Sequence, residues 1–147
     1  METHTVLFVD DEEVVLRSIE RGLLDETYNK LFAISGEEAL EIMQQEEIHV
    51  IVTDMRMPGM DGLELIQAVK KDYPDVVRIV LSGYAQTSSL MIAIHNEGVF
   101  EFVPKPWKLT EFKQVIRKAI DHYKNKGEYK KNETEFERCS IPGEYKE

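Results

Sequence analysis

The stretch Val50-Ile51-Val52-Thr53, followed at once by Asp54, is a run of β-branched residues that stops on a carboxylate. A strand with one wet face alternates apolar and polar side chains, and this one does not. Runs that are apolar on both faces mark strands buried on both faces, which occur in parallel sheets covered by helices. Four more short runs, Thr5–Val9, Lys30–Ile34, Val77–Leu81 and Phe100–Val103, have the length and the Val, Ile and Phe content of strands.

Between these runs the period changes. Val15, Ile19 and Leu23 are spaced by four, and Leu63, Ile66 and Val69 by three. Ser35 followed by Glu38 reads as a capping box that opens a helix carrying Ala39, Leu40 and Met43. Leu90, Ala93, Ile94 and Glu97 mark a fourth helix with Gly98 as its C-terminal cap. Phe112, Val115, Ile116, Ala119 and Tyr123 fall on one face of a fifth. Five β–α units predict an α/β fold: a five-stranded parallel sheet, doubly wound and flavodoxin-like in strand order 2-1-3-4-5, with five helices.

Residues 1–123 thus form one domain. Residues 124–147 differ: they are charged, hold only scattered apolar residues and contain Pro142-Gly143, so they read as a polar helix extension that frays into a linker or disordered tail. The 147 residues are 42% hydrophobic and 31% charged, a globular composition. No apolar run is long enough to span a bilayer, and the N-terminus does not resemble a signal peptide, so a cytoplasmic location without membrane contact is expected. Cys139 stands alone, which excludes an intrachain disulfide and a cysteine metal cluster. The net charge is −10, yet Lys124–Glu147 carries six basic and six acidic side chains, so the whole excess lies in the domain. An acidic body without a basic stripe argues against direct nucleic-acid binding.

Open α/β sheets bind ligands beyond the C-terminal ends of their strands. Those ends carry Asp10-Asp11 after the first strand, Asp54 after the third, Ser82-Gly83 after the fourth and Lys105-Pro106 after the fifth. Singly, each has an ordinary explanation as a helix cap, a turn or a solvated lysine. Together they converge, because the first strand is central and the third lies beside it. Three carboxylates that close repel one another unless a cation joins them or protons are retained. Carboxylates with a backbone carbonyl are Mg²⁺ ligands, and Mg²⁺ recruits phosphate oxygens. A lysine and a hydroxyl facing the same point can hold the remaining phosphate oxygens. A cation half beside an anion half is what phosphoryl transfer requires.

The pattern Phe8-Val9-Asp10-Asp11-Glu12, then Val52-Thr53-Asp54-Met55-Arg56-Met57-Pro58-Gly59-Met60-Asp61-Gly62, then Leu81-Ser82-Gly83-Tyr84-Ala85, then Pro104-Lys105-Pro106-Trp107 resembles the receiver domain of two-component response regulators, over residues 5–123. The resemblance implies that Asp54 accepts a phosphoryl group from a histidine kinase or phosphotransfer protein. It implies that Asp10, Asp11, Asp54 and the Arg56 backbone carbonyl hold Mg²⁺, and that Lys105 pairs with the phosphate. Ser82 matches the hydroxyl that turns toward the phosphate, Phe102 the aromatic residue coupled to that movement, and Lys105–Pro106 a cis peptide. Such a chain is a switch that assists its own phosphorylation and dephosphorylation, not a turnover enzyme. Its partners would be the kinase and a downstream output domain or protein, with a phosphorylation-dependent homodimer as one output. Phe102 stands where Tyr is frequent and Trp107 where Phe is usual.

Two other classes compete. A Mg²⁺-dependent aspartyl phosphatase would carry Asp-x-Asp after its first strand and needs cap insertions for which this chain has no room. A flavodoxin-like redox carrier would need a Ser/Thr/Gly-rich phosphate loop in place of Asp10-Asp11. A chain of this length either acts alone on a partner or is the front part of a longer regulator. His4, His49, His95 and His122, and Met55, Met57, Met60 and Met91, read as surface or packing residues.

Overall fold

The computed structural model describes the backbone of residues 3–83, 92 and 96–139, and side chains of that set as far as Lys126. Five strands, β1 (Thr5–Val9), β2 (Asn29–Ala33), β3 (Val50–Asp54), β4 (Val77–Ser82) and β5 (Glu101–Pro104), form one parallel sheet in the order β2-β1-β3-β4-β5. The helices among the described residues are α1 (Glu13–Gly22), α2 (Gly36–Gln45), α3 (Gly62–Asp72) and α4 (Leu109–Cys139). Strand order and parallel pairing agree with the sequence reading. Five helices were expected, and four lie among the described residues. Leu90, Ala93 and Ile94 of the expected fourth lie outside them, as do Tyr84, Ala85, Met91 and His95. Gly98 does adopt the left-handed conformation of a cap, at φ 73°.

Continuous apolar strands are explained by two covered faces. Val6, Phe8, Val50, Val52, Ile79 and Leu81 point to one side and pack with Leu16, Ile19, Phe112 and Ile116 of α1 and α4. Leu7, Val9 and Ile51 point to the other and pack with Ala39 and Met43 of α2 and Leu65 and Val69 of α3. Phe8 is wholly buried, and a side chain of that size contributes about 3 kcal/mol when taken out of water.

Some local readings need correction, among them β5, which runs Glu101–Pro104 instead of Phe100–Val103. β2 runs Asn29–Ala33, because Asn29 N–H bonds the His4 carbonyl and starts the ladder one residue earlier than expected. The Ser35 cap is only half of a capping box. Ser35 accepts from Glu38 N–H, but the Glu38 carboxylate accepts from Ile34 N–H instead of from Ser35. The reciprocal box opens α3: Asp61 accepts from Glu64 N–H at 2.9 Å, and Glu64 accepts from Asp61 N–H at 3.2 Å. The tail is helical as far as Cys139, a stretch rich in Lys and Glu, which are good helix formers.

Candidate functional site

Register brings the strand ends together. Val9 of β1 pairs with Thr53 of β3, Asp54 with Leu81 of β4, and Ser82 with Pro104 of β5. Asp10, Asp54, Ser82 and Lys105 therefore leave the same edge of the sheet within two residues of one another. Asp10 is fully buried, Asp54 is 8% exposed and Asp11 is open to solvent. Their carboxylates offer ligand oxygens that all lie within 4.8 Å of one another.

The Lys105 ammonium sits between two of these acids, 2.9 Å from Asp54 Oδ1 and 3.1 Å from Asp10 Oδ2. The other Asp10 oxygen accepts from Glu12 N–H at 2.9 Å, so both Asp10 oxygens are engaged and its carboxylate is fixed in orientation. Lys105 is placed from behind by its own N–H, which donates to the Ser82 carbonyl at 2.9 Å, and the Lys105–Pro106 peptide is cis. Burial raises the Asp54 carboxyl above its ordinary range, outweighing the hydrogen bond from Lys105 that pulls it down. Burial alone would lower Lys105, but its bonds to Asp54 and Asp10 win and hold it above the usual lysine range. The ammonium is charged, and it is shared.

Arg56 lies in the exposed turn two residues after Asp54. Phe102 is half-buried against Met55, Ile66 and Val80, and Trp107 packs on Phe112 with ring centroids 5.0 Å apart. His49 is a packing residue: its Nδ1 accepts from Thr5 N–H, and its ring meets His4 and Tyr123 edge-on.

Asp61-Gly62 reads from sequence only as backbone shaping the loop after Asp54, and the structure gives the pair more specific tasks. Gly62 N–H donates to the Met55 carbonyl at 2.9 Å, and a Cβ on Gly62 would collide with the Asp54 carbonyl oxygen. Only glycine lets α3 begin so close beneath Asp54. The Asp61/Glu64 box fixes the same helix start. Its Asp-x-x-Glu spacing was readable, whereas nothing in the sequence announces the contact at Gly62.

Residues 6–117 match the family described as response regulator receiver domain. The chain belongs to that family. A receiver domain is the phosphoacceptor module of two-component signalling. The chain is 32% identical over 138 residues to the hydrogenase transcriptional regulatory protein HoxA of Cupriavidus necator, covering 94% of this chain and 28% of that protein. It spans less than a third of the curated relatives that it matches most strongly. Among solved structures, a chain of an adenylate cyclase from Rhodopirellula baltica superposes with a TM-score of 0.83 at 30% identity, over 90% of this receiver and 98% of that chain. A response regulator receiver domain from Clostridium thermocellum gives 0.76 at 31% identity, over 82% and 97%. No helix among the described residues is long and apolar enough to cross a membrane.

The three carboxylates suit a small hard cation, since carboxylate oxygens are its preferred ligands and one lysine does not neutralise three acids.

Proposed function

We propose that this receiver accepts a phosphoryl group on Asp54 from the phosphohistidine of a sensor kinase or phosphotransfer protein, and that the modification switches an output surface. The observation that carries the reading is the sharing of one lysine by two buried carboxylates, Asp10 and Asp54, at the end of the two central strands. Asp54 supplies the oxygen that forms the P–O bond as the P–N bond to the donor imidazole breaks. Lys105 is within reach of Asp54 and pairs with the incoming phosphoryl oxygens, and the Ser82 hydroxyl closes on them from β4.

Asp10, Asp11, Asp54 and the Arg56 carbonyl would hold Mg²⁺, which supplies positive charge to phosphoryl oxygens that this acidic crevice otherwise repels. Asp10 is oriented for this by Glu12 N–H, and Asp11 is open to solvent, where a hydrated ion arrives. The protein is a switch, not a turnover enzyme. A phosphoryl group adds about −1.5 to −2 charges next to Ser82 and Lys105. Movement of Ser82 toward it frees space for Phe102 and alters the surface formed by the fourth connection, β5 and α4, so that a partner, an output domain or a second copy binds there. In this reading residues 1–123 are the receiver and 124–147 a polar helix extension or linker. Direct nucleic-acid binding by this acidic domain is not part of it, and a cytoplasmic location is.

The test is incubation with Mg²⁺ and acetyl phosphate. The wild type is expected to gain one hydroxylamine-sensitive phosphoryl group and Asp54→Asn none. Equal incorporation into both would end the assignment. A second reading, that the chain is the receiver of a longer regulator, is favoured by its spanning only 28% of HoxA.

A further inference from the structure

At the opposite end of the sheet from Asp54, a cleft of about 410 Å³ opens between the α3–β4 turn, the start of β5 and α4. Arg78 of β4 lines it and is only 9% exposed. Its guanidinium donates through Nη1 to the carbonyl of Val76 at 3.1 Å and, more loosely, to that of Pro74 at 3.4 Å. Through Nη2 it donates to the carbonyl of Gly98 at 3.2 Å. These bonds staple two turns together, and a Cβ on Gly98, a position whose φ of 73° already favours glycine, would stand 3.0 Å from Nη2.

The staple leaves two things unexplained. The Arg78 Nε–H is buried without an acceptor, and no carboxylate among the described residues is within 4.0 Å of the guanidinium. Glu97 favours its charge from farther away, but burial dominates and holds the guanidinium below its usual range; Glu97 itself faces Lys70 at 3.8 Å. A buried cation met only by carbonyl dipoles is an incomplete arrangement. Around the same cleft stand His122, packed on Phe100 with centroids 5.0 Å apart, and Lys126, whose contact with Asp75 is a loose 3.9 Å. In a chain of net charge −10, Arg78 and Lys126 line one recess together with His122 and a single carboxylate, Asp75.

We propose that this cleft is an anion site, distinct from the aspartate crevice, which takes a small molecule bearing a phosphate or carboxylate group. An oxyanion seated there supplies the counter-charge that Arg78 lacks, exchanges for the long Pro74 bond and gives the orphan N–H an acceptor through a small turn of the guanidinium. Because Arg78 holds Gly98, and its carbonyl accepts from Phe100 N–H at 2.7 Å, occupancy would stiffen the entry to β5.

Inorganic phosphate, adenosine monophosphate and acetate are titrated separately into the full chain at constant ionic strength, followed by backbone-amide and guanidinium NMR. The expected result is saturable shifts at Gly98, Phe100 and the Arg78 Nε–H in the millimolar range, retained in Asp54→Asn. Affinity should fall about threefold in Lys126→Ala and about tenfold or more in Arg78→Lys. The tightest of the three titrants distinguishes a phosphate from a carboxylate source. Lys126 is only half-buried and pairs loosely with Asp75, so its variant decides the matter even if Arg78→Lys does not fold. Shifts confined to Asp10, Asp54 and Lys105, shifts that merely track salt, or an unchanged affinity in Lys126→Ala would overturn the proposal.

Discussion

Asp54 and Glu26 are equally buried, each 8% exposed, and each meets a cation delivered from far along the chain. Around Glu26, at the N-terminal end of the sheet, charges balance. Arg117 grips its carboxylate with two bonds of 2.9 and 2.6 Å, and neighbouring Asp25 has Lys113 at 2.9 Å. Around Asp54, at the C-terminal end, they do not: Lys105 alone serves Asp10 and Asp54, with Asp11 close by. A balanced buried pair is architecture, and here it docks α4 onto the loop before β2. A surplus of like charge costs stability, and in the proposed function it is kept to receive a cation and a transferred group.

The sharpest way to break the contrast is to unbalance the balanced end. Arg117→Met leaves the Glu26 carboxylate buried and unpaired, and should lower the thermal midpoint by several degrees, on the order of 5 °C. Phosphoryl acceptance by the folded protein should stay the same. Loss of acceptance at a temperature where the variant is folded would show that the two ends are not separable.

Relieving the surplus should do the opposite. Asp54→Asn removes a buried carboxylate whose burial outweighs its pairing, and should raise stability in urea by about 1 kcal/mol at neutral pH. A loss of that size would mean that the bond to Lys105 dominates. A smaller effect concerns pH. The folded chain holds the Asp54 proton at a higher pH than the unfolded chain does. As pH falls through the raised folded value, the wild type therefore gains stability relative to Asp54→Asn, until both states are protonated below the ordinary carboxylate range. Paired urea curves from neutral to acid pH read this directly, and a difference that stays flat would contradict the raised carboxyl.

Much of the active edge was legible because strand ends are legible. Val50–Thr53 is apolar on both faces, so its end, and with it Asp54, is located by composition alone. The strand order then puts Asp10 beside it. What was not legible depends on three-dimensional approach: the shared position of Lys105, the closeness of Gly62 to the Asp54 carbonyl, and the fixing of Asp10 by Glu12 N–H. The length of α4 was hard to read for a different reason. Lys124–Cys139 lacks an apolar stripe, so periodicity is silent there and only the helix propensity of its Lys and Glu residues speaks. At Ser35 the box spacing was present, but the Glu38 carboxylate found Ile34 N–H instead, a choice that spacing cannot foretell.

The central claim is that the surplus of negative charge at Asp10, Asp11 and Asp54 is a cation site that serves Asp54. A Mg²⁺ titration of the unphosphorylated protein, read by Trp107 fluorescence, tests it most directly. Asp11→Ala should weaken binding roughly tenfold or more by removing a ligand oxygen. Lys105→Met should tighten it, because the ammonium that competes for Asp10 and Asp54 is gone. Binding that is unchanged in both variants would contradict the account.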